Sequence, residues 1–100
     1  MKLKDKVVLI TGGGSGLGRE TGLTFAREGA KVGINDIRTE SAQNVVTEIE
    51  RAGGKGAKAF VADVSNSAAV KKMFVDFIAT YGTIDILINN AGIGQSPSHQ

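Results

Sequence analysis

Two apolar rhythms alternate along the chain. Val7, Val8, Leu9 and Ile10 are consecutive and apolar, the pattern of a strand covered on both faces, and Lys6–Thr11 is predicted as the first strand. Residues 17–28 then read as a helix. Gly18, Gly22 and Ala26 recur at i, i+4 and i+8 as a smooth stripe, with Phe25 beside it. Glycine costs a helix interior about 1 kcal/mol relative to alanine, so Gly22 points to close packing on a sheet. Glu28-Gly29-Ala30 ends this helix, and Lys31–Asp36 is a second short strand. Ala42, Val45, Val46 and Ile49 follow at helical spacing with polar residues between them, capped by Asp36 or Thr39 and stopped by Gly53-Gly54. Ala57–Asp63 is a third strand. Ser65 or Ser67 opens a third helix carrying the stripe Val70, Met73, Phe74, Phe77, Ile78 and Tyr81, and Gly82 terminates it. Ile84–Ile88 is a fourth, nearly all-apolar strand, and the tail 94–100 is polar.

The resulting order, β-α-β-α-β-α-β, defines an α/β protein with a parallel sheet between helices. A chain of 100 residues makes one domain, and no internal linker or repeat divides it. With 41% apolar and 22% charged residues the balance is that of a folded domain rather than a disordered one. The net charge of +2 comes from lysines interleaved with acids. A basic stripe with stacking aromatics is missing, so no nucleic-acid partner is expected. The absence of cysteine excludes disulfides and thiolate metal sites, and no metal is expected. No apolar run approaches the ~18 residues of a membrane span, and Met1–Lys6 lacks the apolar core of a signal peptide. Cytoplasmic residence without membrane attachment is the expectation.

Chemistry concentrates where strands end. Between the first strand and the first helix stands Thr11-Gly12-Gly13-Gly14-Ser15-Gly16-Leu17-Gly18. A helix start leaves N–H groups unpaired and carries partial positive charge, and glycines let phosphate oxygens approach the backbone closely. The spacing is Gly12-x-x-x-Gly16-x-Gly18. It does not match G-x-G-x-x-G, and no Gly-Lys-Ser/Thr of an ATP-type loop follows. Gly14-x-Gly16-x-Gly18 also fits a methyltransferase corner, although Thr11 stands where such proteins carry an acid. The bland alternative is a glycine turn without a ligand.

Asp36 ends the second strand, eighteen residues past Gly18, where an acid can accept hydrogen bonds from ribose hydroxyls and repel a 2′-phosphate. It could equally be a turn or cap residue, and Arg38 nearby could reach a 2′-phosphate. Asp63, ending the third strand, could accept from an adenine amino group or cap the following helix. Asn89-Asn90-Ala91-Gly92 suggests an amide-rich floor for a flat ligand, or an ordinary strand-end turn. His99, the only histidine, sits in the polar tail as a solvated residue. Tyr81 closes an apolar stripe and reads as core rather than catalytic, as do Met73, Phe74 and Phe77.

Thr11-Gly12-x-x-x-Gly16-x-Gly18, Asp36, Asp63-Val64 and Asn89-Asn90-Ala91-Gly92, in this order and at these spacings, resemble the short-chain dehydrogenase/reductase family from about Lys4 to Ile93. The resemblance implies a Rossmann-type, doubly wound parallel sheet. Its cofactor is NAD or NADP, and the reaction moves hydride between nicotinamide and a small alcohol or carbonyl substrate. By the same resemblance Gly12, Ser15, Gly16, Leu17 and Gly18 would line the phosphate and ribose corner. Asp36 would hold the ribose diol and favour NAD over NADP. Asp63 and Val64 would flank adenine, and Asn90, Ala91 and Gly92 would run beneath the adenosine side.

The family's catalytic Ser, Tyr and Lys have no counterparts here. Tyr81 is the only tyrosine, and Asp85 stands four residues on, where Tyr-x-x-x-Lys needs a lysine. No catalytic residue is assigned, and the chain reads as the amino-terminal cofactor half of such an enzyme, inactive alone. In strand order 3-2-1-4 with three helices, the first two helices share one face and the third lies on the other. The fold is then incomplete relative to the family, with one face thinly covered and Ile84–Ile88 an apolar edge, so self-association as a homo-oligomer is expected. The alternatives are a non-catalytic nucleotide-binding or interaction module, and a domain of the S-adenosylmethionine-dependent methyltransferase type.

Overall fold

Continuous apolar runs form the centre of the sheet. The computed structural model describes residues 3–91, and within them the elements are β1 (Val7–Thr11), α1 (Gly16–Arg27), β2 (Lys31–Asp36), α2 (Thr39–Arg51), β3 (Lys58–Val61), α3 (Ser67–Tyr81) and β4 (Ile86–Asn89). All pairings are parallel and the strand order is β3-β2-β1-β4. The register sets Leu9 beside Gly33 on one side and beside Leu87 on the other. Gly92 and the tail 94–100 lie outside the described residues.

Side-chain alternation along β1 divides the core between two faces. Val8 and Ile10 join Val32, Ile34 and the α2 residues Ala42, Val45, Val46 and Ile49 in one cluster. Val7 and Leu9 point the other way, to Met73 and Phe77 of α3. The first two helices therefore share a face and the third stands on the other, as the right-handed crossovers require. Gly22 of α1 abuts Ile34 closely enough that a Cβ would lie 2.9 Å from Ile34 Cδ1. Phe77 fills the space over Gly33, which explains why a residue without a side chain occurs in a buried strand.

Several boundaries differ from the sequence expectation for local reasons. The strand expected over Ala57–Asp63 is Lys58–Val61, because Asp63 enters a turn in which its carbonyl accepts from the Asn66 N–H. The strand expected over Ile84–Ile88 is Ile86–Asn89. There the Asp85 carboxylate takes the Val7 N–H at 2.8 Å, so the regular ladder starts after it. Helix α1 runs Gly16–Arg27 rather than 17–28, with Glu28 as its cap. The cap of α3 is Asn66, whose side chain accepts from the Ala69 N–H at 3.0 Å, and not Ser65 or Ser67. Arg38 holds the N-cap position of α2 without a side-chain cap bond; Asp36 instead accepts from the Arg38 N–H, and Thr39 is the first helical residue.

The α3 stripe is only partly used. Met73 and Phe77 are buried, while Ile78 is 45% exposed, and Val75, outside the stripe, is 64% exposed. Leu87 on edge strand β4 is 50% exposed. One helix does not cover a face that two helices cover on the other side.

Candidate functional site: a cleft at the carboxyl edge of the sheet

Parallel strands bring their carboxyl ends to one edge, and α1, α2 and α3 all start there. A cavity of about 730 Å³ opens at that edge. The glycine loop contributes Gly12, Ser15, Gly16 and Leu17, the end of β2 contributes Asn35 to Arg38, the end of β3 contributes Ala62 to Ser65, and the end of β4 contributes Asn90 and Ala91. The cavity thus gathers every residue expected at a site except two. Gly92 lies outside the described residues. Gly18 sits beneath the loop rather than in the wall. A Cβ on Gly18 would overlap the Gly12 carbonyl oxygen and come within 2.7 Å of Asn90 Nδ2, so glycine lets three segments meet there.

The loop is bonded at its start and open at its end. The Gly12 N–H donates to Asn35 Oδ1 at 3.4 Å, the Gly13 N–H to the Asn35 carbonyl at 2.7 Å, and the Gly14 N–H to Asp36 Oδ2 at 3.0 Å. From Ser15 to Gly18 the N–H groups meet no protein acceptor among the described residues. Ser15 holds the N-cap position in extended backbone, but its side chain makes no cap bond. The positive end of α1 is therefore open toward the cavity, the arrangement that receives anions.

Asp36 is 6% exposed yet lines the cavity. Its Oδ1 accepts from the Arg38 N–H at 3.1 Å, and the exposed Arg38 guanidinium lies 3.7 Å from the same oxygen. Each carboxylate oxygen retains acceptor capacity beyond these bonds. Asp63 Oδ1 accepts from the Ser65 hydroxyl at 2.6 Å and the Ser65 N–H at 2.9 Å, and these bonds hold its carboxyl below the usual range. Since Asn66 caps α3, Asp63 does not serve as that cap.

The floor is a small polar network. The buried Thr11 hydroxyl donates to Asn89 Oδ1 at 3.0 Å and accepts from the N–H groups of Asn90 and Ala91 at 3.0 and 3.2 Å. Asn90 Nδ2 reaches the Gly12 carbonyl at 3.2 Å, tying the end of β4 to the glycine loop. Asn35 escaped the sequence reading. Its signal was an amide side chain within the buried run Val32-Gly33-Ile34-Asn35, where every polar atom needs a partner.

Tyr81 lies outside this site. Its ring centroid is 4.7 Å from that of Phe77 and 6.2 Å from that of Phe60, and its hydroxyl donates to the Gly56 carbonyl. Burial pushes it up to about 12. This is a half-buried residue packed against the core with a satisfied hydroxyl, not an acid or base poised in the cleft.

A glycine loop ending in an open helix start, beside a buried acid at the next strand end, defines a Rossmann fold of the dinucleotide-binding type. Over residues 6–100 the chain matches the short chain dehydrogenase family, and it belongs to that family. It is 47% identical over 92 residues to the probable oxidoreductase EphD of Mycobacterium tuberculosis H37Rv, covering 92% of this chain and 15% of that protein. It is 43% identical over 94 residues to the short-chain dehydrogenase/reductase homolog YusS of Bacillus subtilis, covering 93% of this chain and 85% of YusS. The crystal structure of 3-ketoacyl-(acyl-carrier-protein) reductase from Brucella melitensis complexed with NADH superposes with a TM-score of 0.78 at 41% identity. That match covers 85% of this chain and 33% of the Brucella chain. Apart from YusS, these relatives are much longer than the part this chain spans. The matches do not favour a methyltransferase or a non-catalytic module. Among the described residues no helix is long and apolar enough to cross a membrane.

Proposed function

We propose that this chain is the cofactor-binding part of an NAD-dependent oxidoreductase of the short-chain dehydrogenase/reductase type, acting on a small alcohol or carbonyl substrate. The observation that carries this reading is the open N-terminus of α1 facing the same cavity as the buried Asp36 carboxylate. Gly12, Ser15, Gly16, Leu17 and Gly18 would hold the pyrophosphate through the unpaired N–H groups. Asp36 would take the adenosine ribose diol, Asp63 and Val64 would flank adenine, and Asn90, Ala91 and Gly92 would lie beneath the adenosine side. A bound nicotinamide would supply the hydride donor or acceptor. None of the 100 residues forms a Tyr-x-x-x-Lys pair, and this reading assigns no catalytic residue to the chain. On this reading the protein is cytoplasmic and self-associates through the exposed β4 edge.

NAD is favoured over NADP because a 2′-phosphate would face the Asp36 carboxylate, with Arg38 already beside it at 3.7 Å. Calorimetric titration of the chain with both dinucleotides tests this. Tighter binding of NAD is expected, and tighter binding of NADP, or binding of neither, would overturn it.

A further inference from the structure

The cavity has two walls that belong to different parts of the chain. One is the glycine loop, the other the end of β3; the Asn35 side chain bonds to both, beside Asp36, which takes the Gly14 N–H on its carboxylate and the Ala62 N–H on its carbonyl. Asn35 is 1% exposed, and its side chain uses both amide donors toward one wall and one acceptor site toward the other. Its Nδ2 donates to the Phe60 carbonyl at 2.9 Å and to the Ala62 carbonyl at 3.2 Å. Its Oδ1 accepts from the Gly12 N–H at 3.4 Å, and its own carbonyl accepts from the Gly13 N–H at 2.7 Å. Ala62 leads directly into Asp63 and Val64, while Gly12 and Gly13 lead into the open start of α1.

We infer that Asn35 is a positioning residue that sets the spacing between the phosphate corner and the adenine wall. The inference rests on the dinucleotide reading above for its ligand, but not for its geometry. An amide is the side chain that suits this place. It offers two donors to two strand-end carbonyls and one acceptor to a loop N–H, without bringing a charge into a buried site. An isosteric carboxylate would present acceptors to two carbonyl oxygens, and a hydroxyl is too short to reach both walls. A ligand that touches both walls gains from having them held at a fixed separation, whereas a ligand that touches one wall does not.

The test compares Asn35→Asp and the milder Asn35→Ser with Val46→Ala, which opens the core on α2 away from the cleft. The first readout needs no ligand. Amide hydrogen exchange at Gly12 and Gly13 and at Ala62 to Val64 should accelerate together in both Asn35 variants, while Leu9, Val32 and Ile34 stay protected. In Val46→Ala the cleft amides should keep their wild-type order relative to the core. The second readout is binding of ADP-ribose, which spans both walls, against adenosine, which lacks the phosphates. ADP-ribose affinity should fall about tenfold or more in the Asn35 variants, the equivalent of one or two lost bonds, with adenosine much less affected. Exchange that rises at one wall only, or ADP-ribose and adenosine weakened equally, would overturn the inference. If Asn35→Asp does not fold, Asn35→Ser decides by the same measurements. If wild-type protein binds neither ligand, the dinucleotide reading fails while the exchange pattern still decides the role of Asn35.

Discussion

Helices α1 and α3 start at the same edge of the sheet, yet their N-termini are treated in opposite ways. At α3 the Asn66 side chain takes the Ala69 N–H. Its far end is closed too: Gly82 at φ +83 returns its N–H to the Ile78 carbonyl at 2.8 Å. At α1 the N-cap residue is Ser15, a good capping type, and it makes no cap bond. The loop before it spends its bonds on Asn35 and Asp36, and the four N–H groups that follow are left over. At α3 a side-chain cap and a terminal glycine close part of each end, whereas α2, whose N-cap Arg38 makes no side-chain cap bond, resembles α1 in this respect. Open polar groups at α1, lined up beside a buried acid, are what a site for an external anion requires.

The sharpest way to break this contrast is Gly18→Ala. The added methyl group overlaps the Gly12 carbonyl and crowds Asn90 Nδ2, so the loop must move. Destabilisation of about 1–3 kcal/mol is expected from overpacking, together with a larger proportional loss of NAD affinity than any substitution in α3 produces. Denaturant melts and calorimetry measure the two effects. Gly18→Ala with unchanged NAD affinity would separate the loop from binding.

The caps give a second, smaller contrast. Asn66→Ala should cost about 1 kcal/mol, the usual value of a satisfied N-cap, and leave NAD affinity unchanged. Ser15→Ala should change stability by less than about 0.5 kcal/mol, since no cap bond is lost. Urea melts of the two variants check this, and a Ser15→Ala loss equal to that of Asn66→Ala would mean that α1 is capped after all.

The closed end of α3 makes a pH prediction. Tyr81 has its ionisation pushed up from an ordinary 10.0 to about 12 by burial, so folding favours its neutral form. Its contribution is fully present below about pH 10 and is lost as pH rises toward 12. Tyr81→Phe should therefore flatten the alkaline limb of a stability–pH curve in that window, at the cost of the bond to the Gly56 carbonyl. An unchanged alkaline limb would count against the half-buried position of this ring as the source of the shift.

Much of this architecture was legible because it follows from local pattern. The run Val7 to Ile10 marks the central strand, and three helices alternating with four strands leave few topologies. What the pattern missed depends on side chains acting across the fold. Three neighbouring polar residues, Ser65, Asn66 and Ser67, could each cap a helix, and the helix phase picks Asn66. The start of β4 depends on Asp85 reaching Val7, seventy-eight residues away. The residues gathered at the cleft were foreseeable from strand ends, whereas Asn35 acts through bonds to Gly12, Phe60 and Ala62 that no local spacing reveals.

The most direct measurement of the central claim is an amide NMR titration of the chain with NAD. The N–H resonances of Leu17 and Gly18 should shift saturably, in step with those around Asp36, while the Asn66 to Ala69 amides of the capped helix stay in place. Shifts confined to α3, or none at the start of α1 while NAD binds, would contradict the account.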